Sequence, residues 1–303
     1  MDTPHDPQLR LDPLVARLPL DRPFTPRQAS GVGVPRSSLE RLVRAGQVRR
    51  VLRGVYAPAT APDDTTFRAR ALALAVGGTP VAVDRTAGWV HGLALPAMGV
   101  SDDQPPLDLA RTQRRSRGSV RSLAAREIVC LEGLRVTTPL RTALDLGRLL
   151  PPGAALTCLD RLVGRGQVAQ TDLVAELPRM AGLPGIGQLR TLVAQTDGRA
   201  CCAPESVLRL HWNAARLPTA IPALPVVAGG RLVRLSIGTE HRDFGAVLAG
   251  HVDADDLHAL QGAGWWIVVL PERRVLEVQP ETLTKHLERE YHQHLLARVE
   301  AAG

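Results

Sequence analysis

The sequence predicts a multidomain chain of the mixed α+β and α/β class that opens on a short helical unit closed by a β-hairpin. Three observations carry this expectation. The 303 residues exceed one ordinary domain and suit two or three. Helix-like and strand-like segments follow one another along the whole length. Charge is distributed unevenly, which separates the ends of the chain chemically. Eight arginines face a single acid, Glu40, between Arg22 and Tyr56, whereas residues 203–303 carry ten basic groups against twelve acids.

The first elements lie between Leu9 and Pro58. Leu11, Leu14, Val15 and Leu18 recur at helical spacing, with Asp12–Pro13 at the start and Pro19 blocking continuation. Thr25 suits the N-cap of a short helix. Pro26 takes the first helical position, and Gln28 stands three residues past the cap, as in a capping box. That helix is expected to end near Gly31, and Gly31–Val34 supplies a tight turn. A further helix is expected over Pro35–Ala45. Leu39, Leu42 and Val43 form its apolar side, and Arg36, Ser37, Ser38, Glu40, Arg41 and Arg44 its polar side. Gly46 can end it. Val48–Leu52 and Val55–Ala57 then read as two strands around Arg53–Gly54.

Helix, tight turn, helix and hairpin, in that order, is the winged helix-turn-helix arrangement. A basic helix of this width fits the major groove of double-stranded DNA, with Arg36, Ser37 and Ser38 at its positive N-terminal end. A wing bearing Arg49, Arg50 and Arg53 would lie against phosphates. Arg27 and Gln28 on the preceding helix complete the candidate DNA-binding set with Arg41 and Arg44. Glu40 is expected to pair with Arg44. A solvated basic helix in a protein-interaction domain is the competing reading.

The middle segment, residues 61–200, reads as an α/β domain. A helix is expected over Phe67–Val76, a strand feeding a helix over Ala82–Leu93, and strands at Leu107–Ala110 and Ile128–Leu131. A strand from Leu134 leads into a helix over Leu140–Leu150, with Thr138 as N-cap and Pro139 first. His91 reads as a packed helix-end residue. The run Arg111–Arg126 holds six arginines and no acid, and reads as a solvated loop or a second DNA contact. Gly182–Gly187 has neither the order nor the preceding strand of a nucleotide cradle, and reads as a loop.

The last segment, residues 201–303, is expected to contain a helix over Ser206–Ala215 and a hairpin of Pro225–Val227 with Arg231–Ile237. A strand at Phe244–Leu248, a helix over Asp253–Gln261, a buried strand at Trp265–Leu270 and a tail helix over Pro280–Val299 follow. His286, Glu290 and His294 recur along that tail at four-residue spacing, which reads as a solvated face with ion pairs.

Composition narrows the function classes. Net charge is +7 and the pI about 10.2, which favours an anionic partner, nucleic acid before membrane. Lys285 is the only lysine, so the positive charge is almost all guanidinium, suited to phosphates and guanine edges. Aromatics at 3% leave little surface for stacking single-stranded bases. Cys130, Cys158, Cys201 and Cys202 show neither zinc-ligand nor disulfide spacing, and read as buried or idle thiols in a reducing cytoplasm. No metal or cofactor is expected. The first residues lack the apolar run of a signal peptide, and Trp265–Leu270 is too short to cross a bilayer, so a cytoplasmic protein without membrane contact is expected.

Three stretches resemble a known family. "VRRVLRGVYA", "DRTAGWVHGLALP" and "LRVTTPLRTALDLGRLLP" look like the AbiEi-type abortive-infection antitoxins and their actinobacterial relatives. The likeness spans about Leu9 to Leu162, and its fairly specific motif is Gly133, Leu134, Val136, Thr137, Pro139, Arg141 and Thr142. It implies a transcriptional regulator of a toxin–antitoxin system, with a nucleotidyltransferase-like toxin as partner. "PESVLRLHW", "PVVAGGRLVRLSIG", "FGAVLAGH" and "LQGAGWWIVVL" resemble very-short-patch repair endonucleases, which implies a C-terminal restriction-endonuclease-like α/β core. Active relatives gather a divalent metal with acidic side chains. Carried onto this chain, the helix glutamate is Glu205, but the other positions fall on Ser236, Val247 and Ala249. The expectation is a nuclease fold without nuclease chemistry, hence a non-enzymatic regulator. The alternative is a metal-dependent endonuclease targeted by the winged helix.

Overall fold

The computed structural model describes residues 12–77, 80–94, 107–110, 123–277 and 279–302. It is a mixed α/β chain with twelve α-helices and several small sheets among those residues. They divide into two compact units, Met1–Thr142 and Ala143–Gly303.

In the first unit, α1 spans Pro26–Gly31 and α2 Arg36–Arg44. The capping box is present: the Gln28 amide donates to Thr25 Oγ1 at 3.3 Å, and the Thr25 amide to Gln28 Oε1 at 2.8 Å. The expected first helix is only one 3₁₀ turn, Val15–Arg17, among the described residues. Just before it the Leu14 amide donates to the Asp12 carboxylate at 2.9 Å, and Leu18 is already extended ahead of Pro19, so the chain cannot wind further. Strands β1 (Val48–Leu52) and β2 (Val55–Pro58) pair antiparallel, with Arg50 opposite Tyr56. Phe24 adds a bridge to Tyr56: its amide donates to the Tyr56 carbonyl at 2.8 Å, and its carbonyl accepts from the Tyr56 amide at 2.8 Å. Leu39, Leu42, Ala29, Val34, Phe24 and Val48 close the core beneath.

Helix α3 (Thr65–Val76) begins at Asp64, whose carboxylate accepts from the Phe67 amide at 2.7 Å. Strands β3 (Val81–Ala82), β4 (Leu109–Ala110), β5 (Ile128–Leu131) and β6 (Leu134–Thr137) form a sheet in the order β4-β3-β6-β5. Its central pair is parallel and both edges are antiparallel. Helix α4 (Asp84–Val90) follows β3 and ends at His91, which is buried and donates to the Thr137 carbonyl at 2.7 Å. Burial lowers its pKa against that hydrogen bond.

The motif that carried the family resemblance serves this architecture. Gly133 takes φ +77° in the turn before β6, the Thr137 and Thr142 hydroxyls bond at 2.8 Å, and buried Arg141 pairs with Glu127 at 2.9 Å. Thr138 Oγ1 accepts from the Arg141 amide at 3.2 Å as α5 (Pro139–Leu149) begins. Of the arginine-rich run, Arg111 to Arg121 lie outside the described residues.

The second unit starts with helices beyond those expected from sequence: α6 (Pro152–Gly164), α7 (Gln170–Glu176) and α8 (Ile186–Gln195). Ala155, Leu156, Cys158, Leu159 and Leu162 are all fully buried, a helical pattern on which the alanine and cysteine dilute the hydrophobic signal. Helix α9 spans Ala203–Ala214. Buried Asp160 on α6 accepts from Ser206 Oγ at 2.6 Å and from Arg209 on α9, and also from the Asp197 amide at 2.8 Å. The expected boundary at residue 200 thus lies inside this unit.

The expected strand Arg231–Ile237 is broken. Strand β7 (Ile221–Pro222) precedes a separate hairpin of β8 (Pro225–Ala228) and β9 (Arg231–Arg234), while β10 (Ile237–Thr239) joins another sheet. That sheet runs β12-β11-β10-β7, where β11 is Phe244–Leu248 and β12 is Trp266–Leu270. The β11–β12 pair is parallel and the others are antiparallel. Helix α10 (Ala254–Gly262) connects β11 to β12, capped by Asp253 accepting from the Asp256 amide at 2.7 Å.

Strand β11 is buried along its whole length, which explains its uninterrupted apolar run. Phe244, Ala246 and Leu248 face α9 and the last helices, α11 (Glu272–Glu277) and α12 (Pro280–Ala302). Val247 faces the hairpin and α10. Of the tail set, His286 and Glu290 stand 3.8 Å apart at i,i+4 as expected, but His294 leaves the solvated face. His294 is buried against Phe244 and donates to the Arg242 carbonyl at 2.6 Å.

Candidate nucleic-acid interface

Helix α2 sorts its side chains sharply. Leu39 and Leu42 are buried, while Arg36, Ser37, Glu40, Arg41 and Arg44 are exposed and Ser38 is half-buried at the flank. At 3.6 residues per turn the five exposed positions occupy an arc of about 140° opposite the core face. Proline at the N-cap offers no side-chain acceptor, so the first amides of α2 have no side-chain cap bond.

The exposed arginines differ in commitment. Arg36 Nε lies 3.4 Å from Glu40, so the acid pairs one turn back rather than forward to Arg44 as expected. Arg41 Nη1 lies 2.6 Å from Asp12, tying the recognition-like helix to the N-terminal turn. The Leu14 amide and then Arg41 hold the Asp12 pKa below the usual carboxylate range. Arg27, Arg44, Arg50 and Arg53 are exposed and form no ion pair among the described residues. Arg53 occupies the hairpin turn beside Gly54, whose φ is +78°. Arg49 departs from the others. It is half-buried, its guanidinium lies 4.9 Å from the Phe67 ring centre, and Nη2 donates to the Ala61 carbonyl at 3.4 Å. Gln28 is exposed, with its amide oxygen taken by the capping box.

A second candidate centre lies on α9 and the adjoining sheet. Glu205 is buried and held on both oxygens: Arg234 Nη1 donates to Oε1 at 2.6 Å and Nη2 to Oε2 at 2.9 Å, while the Cys201 amide reaches Oε2 at 2.8 Å. Burial pushes its pKa up, but Arg234 and the Cys201 amide outweigh burial and hold it below 4.5. Ser236 Oγ accepts from the Leu248 amide at 3.3 Å. Val247 is fully buried in the core, and Ala249 is exposed. These residues do not fit a hard divalent cation, because the one carboxylate is already neutralised by a guanidinium and the other positions offer a single engaged hydroxyl.

Cys158 is buried, as a packed thiol would be, while the adjacent pair Cys201 and Cys202 lies near acidic and imidazole groups. Cys201 is exposed and Cys202 half-buried. Ligand atoms of Cys201, Glu205 and His251 lie within 4.8 Å of one another, as do those of Cys202, His251 and Glu272. Burial pushes the Cys202 thiol up to about 12. Sequence spacing could not reveal this cluster, because its members come from three segments separated by about fifty and twenty residues. No helix among the described residues is long and apolar enough to cross a membrane.

Residues 13–59, the segment from the 3₁₀ turn through the hairpin, match the family described as "Transcriptional regulator, AbiEi antitoxin". Over 252 residues the chain is 27% identical to an uncharacterized protein of Mycobacterium tuberculosis strain CDC 1551 / Oshkosh, covering 77% of this chain and 89% of the relative. An uncharacterized protein of strain H37Rv matches with the same identity and coverage. No solved structure matches the chain.

Proposed function

We propose that this protein is a DNA-binding transcriptional regulator of antitoxin type, which reads duplex DNA with α2 and steadies it with the β1–β2 wing. The observation that carries the reading is the exposed basic arc of α2, continued by Arg50 and Arg53, inside the segment that matches the antitoxin family. Arg44, Arg50, Arg53 and Arg27 supply uncommitted guanidinium groups. Arg36 and Arg41 can add to them by exchanging surface carboxylate partners for phosphates, at little cost because exposed ion pairs contribute about 0–1 kcal/mol. Ser37 and Ser38 stand at the helix N-terminus, where phosphate oxygens are favoured.

The division into a winged helix (1–60), a central α/β domain (61–200) and a nuclease-like domain (201–303) belongs to this proposal as a statement of descent. The C-terminal part is read as a restriction-endonuclease-like core that has exchanged its metal for Arg234. Its antiparallel β10–β11 pair, the crossover through α10 and the parallel β12 support that reading. The protein is then non-enzymatic and acts in the cytoplasm. Its partners are double-stranded DNA and a nucleotidyltransferase-like toxin.

The test is binding of the full chain to its own promoter DNA, measured by gel shift across a salt series. Arg36→Ala, Arg41→Ala and Arg44→Ala should each weaken binding and lower the salt slope by about one unit. Unchanged binding in all three would overturn the docking. Plasmid nicking with Mg²⁺ or Mn²⁺ tests the remaining chemistry: no cleavage is expected, and cleavage lost in Glu205→Ala would reassign the protein as an endonuclease.

A further inference from the structure

We propose that the second unit binds a thiophilic divalent cation of the Zn²⁺ class through Cys202, His251 and Glu272, with the Cys201 thiol closing the fourth position. The two side-chain triads share His251, and each brings its ligand atoms within 4.8 Å. Tetrahedral zinc with sulfur, nitrogen and oxygen ligands needs neighbouring donors about 3.3–3.8 Å apart. Rotations of side chains that are exposed or half-buried can supply the remaining contraction. His251 Nε2 and Glu272 Oε1 already stand 3.0 Å apart.

The placement of these residues in the fold supports a site. Cys202 is the N-cap of α9, His251 follows the C-terminal end of β11, and Glu272 opens α11 directly after the C-terminal end of β12. Strands β11 and β12 are parallel, so the last two ligands emerge from adjacent carboxyl ends, where α/β sheets place their ligands. Glu205, one turn into α9, fixes the Cys201 amide while Arg234 occupies its carboxylate. That leaves Glu205 as the support that orients the thiols rather than as a ligand. Sulfur and imidazole donors select zinc-class ions over Mg²⁺ or Ca²⁺, which distinguishes this site from a carboxylate nuclease centre. An ion there would staple the start of α9 to the sheet.

The experiment uses the full chain, kept reduced, with Co²⁺ as a spectroscopic probe and Zn²⁺ as competitor. One equivalent of Co²⁺ should produce a thiolate charge-transfer band that Zn²⁺ displaces. Cys202→Ser and His251→Ala should each weaken binding by on the order of 100-fold, and Cys130→Ser, in the other unit, should leave it unchanged. Because Cys202 is half-buried, two further readouts are independent of its folding: Glu272→Gln should weaken Co²⁺ binding, and Zn²⁺ should protect Cys201 and Cys202 of the unaltered chain from alkylation. No charge-transfer band, a band that survives His251→Ala and Glu272→Gln together, or equal alkylation with and without Zn²⁺ would overturn the site.

Discussion

The segment from α1 to the β1–β2 hairpin and the second unit handle arginine differently. Along α2 and the β1–β2 hairpin, Arg27, Arg44, Arg50 and Arg53 stand in solvent with no ion pair among the described residues. In the second unit, Arg209 is buried on Asp160, Arg234 holds Glu205, Arg231 bridges Asp253 and Asp256, Arg199 pairs with Asp197, and Arg298 with Asp243. An arginine count measures anion affinity only after the internal carboxylates have taken their share. The local charge balance along the chain anticipates the contrast, because a segment with one acid among eight arginines cannot pair them all internally.

The largest effect should come from the most buried pair. Arg209→Leu leaves Asp160 at 0% side-chain exposure with its cation removed, and stability should fall by about 3–5 kcal/mol in urea unfolding followed by tryptophan fluorescence. Promoter DNA affinity of the folded variant should not change. A weakened DNA complex would break the contrast by giving this arginine a role outside the fold.

Glu205→Gln is next, at about 2 kcal/mol, the scale of charge-assisted hydrogen bonds lost. Its pH dependence follows from the direction of the shift. Because the folded pKa is held below 4.5, the carboxylate contributes stability above its unfolded value and loses it as pH falls through the lower folded value. The stability gap between Glu205→Gln and the unaltered chain should therefore be widest at neutral pH and close progressively below about pH 4.5. A gap that stayed constant into acid would mean that Arg234 does not stabilise the ionised form.

On the displayed side, the Arg44→Ala, Arg50→Ala double variant should leave stability within about 0.5 kcal/mol. It should lower the salt slope of DNA binding by about two units, one for each lost phosphate contact. Arg36→Ala provides the sharper comparison: its removal also frees Glu40, whose charge then opposes DNA, so it should weaken binding at least as much as Arg44→Ala.

Where the sequence was legible, local rules were enough. Thr25, Pro26 and Gln28 encode a cap within four residues, and Leu39 and Leu42 mark the buried side of α2 without reference to any other segment. Strand β11 announced itself as an apolar run. Three kinds of feature stayed hidden. Helix α6 buries Ala155, Thr157, Cys158 and Asp160 among its leucines, so its inward face is not a clean hydrophobic stripe, and the short α7 buries only Leu173. The break between β9 and β10 depends on strands parting to different sheets, which no period of two can register. The cluster around His251 is assembled from three segments by the parallel β11–β12 pair.

Arg49 tests the contrast where it is finest, because sequence groups it with Arg50 and the structure separates them. Successive strand residues point to opposite faces, so Arg50 goes to solvent and Arg49 to the Phe67 ring and the Ala61 carbonyl. Removing a cation from an aromatic face at a half-buried position costs about 0.5–1 kcal/mol. Arg49→Ala should therefore lower stability by that small amount while leaving the DNA salt slope unchanged, and Arg50→Ala should do the reverse. Measuring both quantities on both variants separates a guanidinium that holds the wing to α3 from one that is free for phosphate. If Arg49→Ala lowered the slope by a full unit, the guanidinium would have to leave Phe67 when DNA arrives, and the wing would be a part that rearranges on binding rather than a preset one.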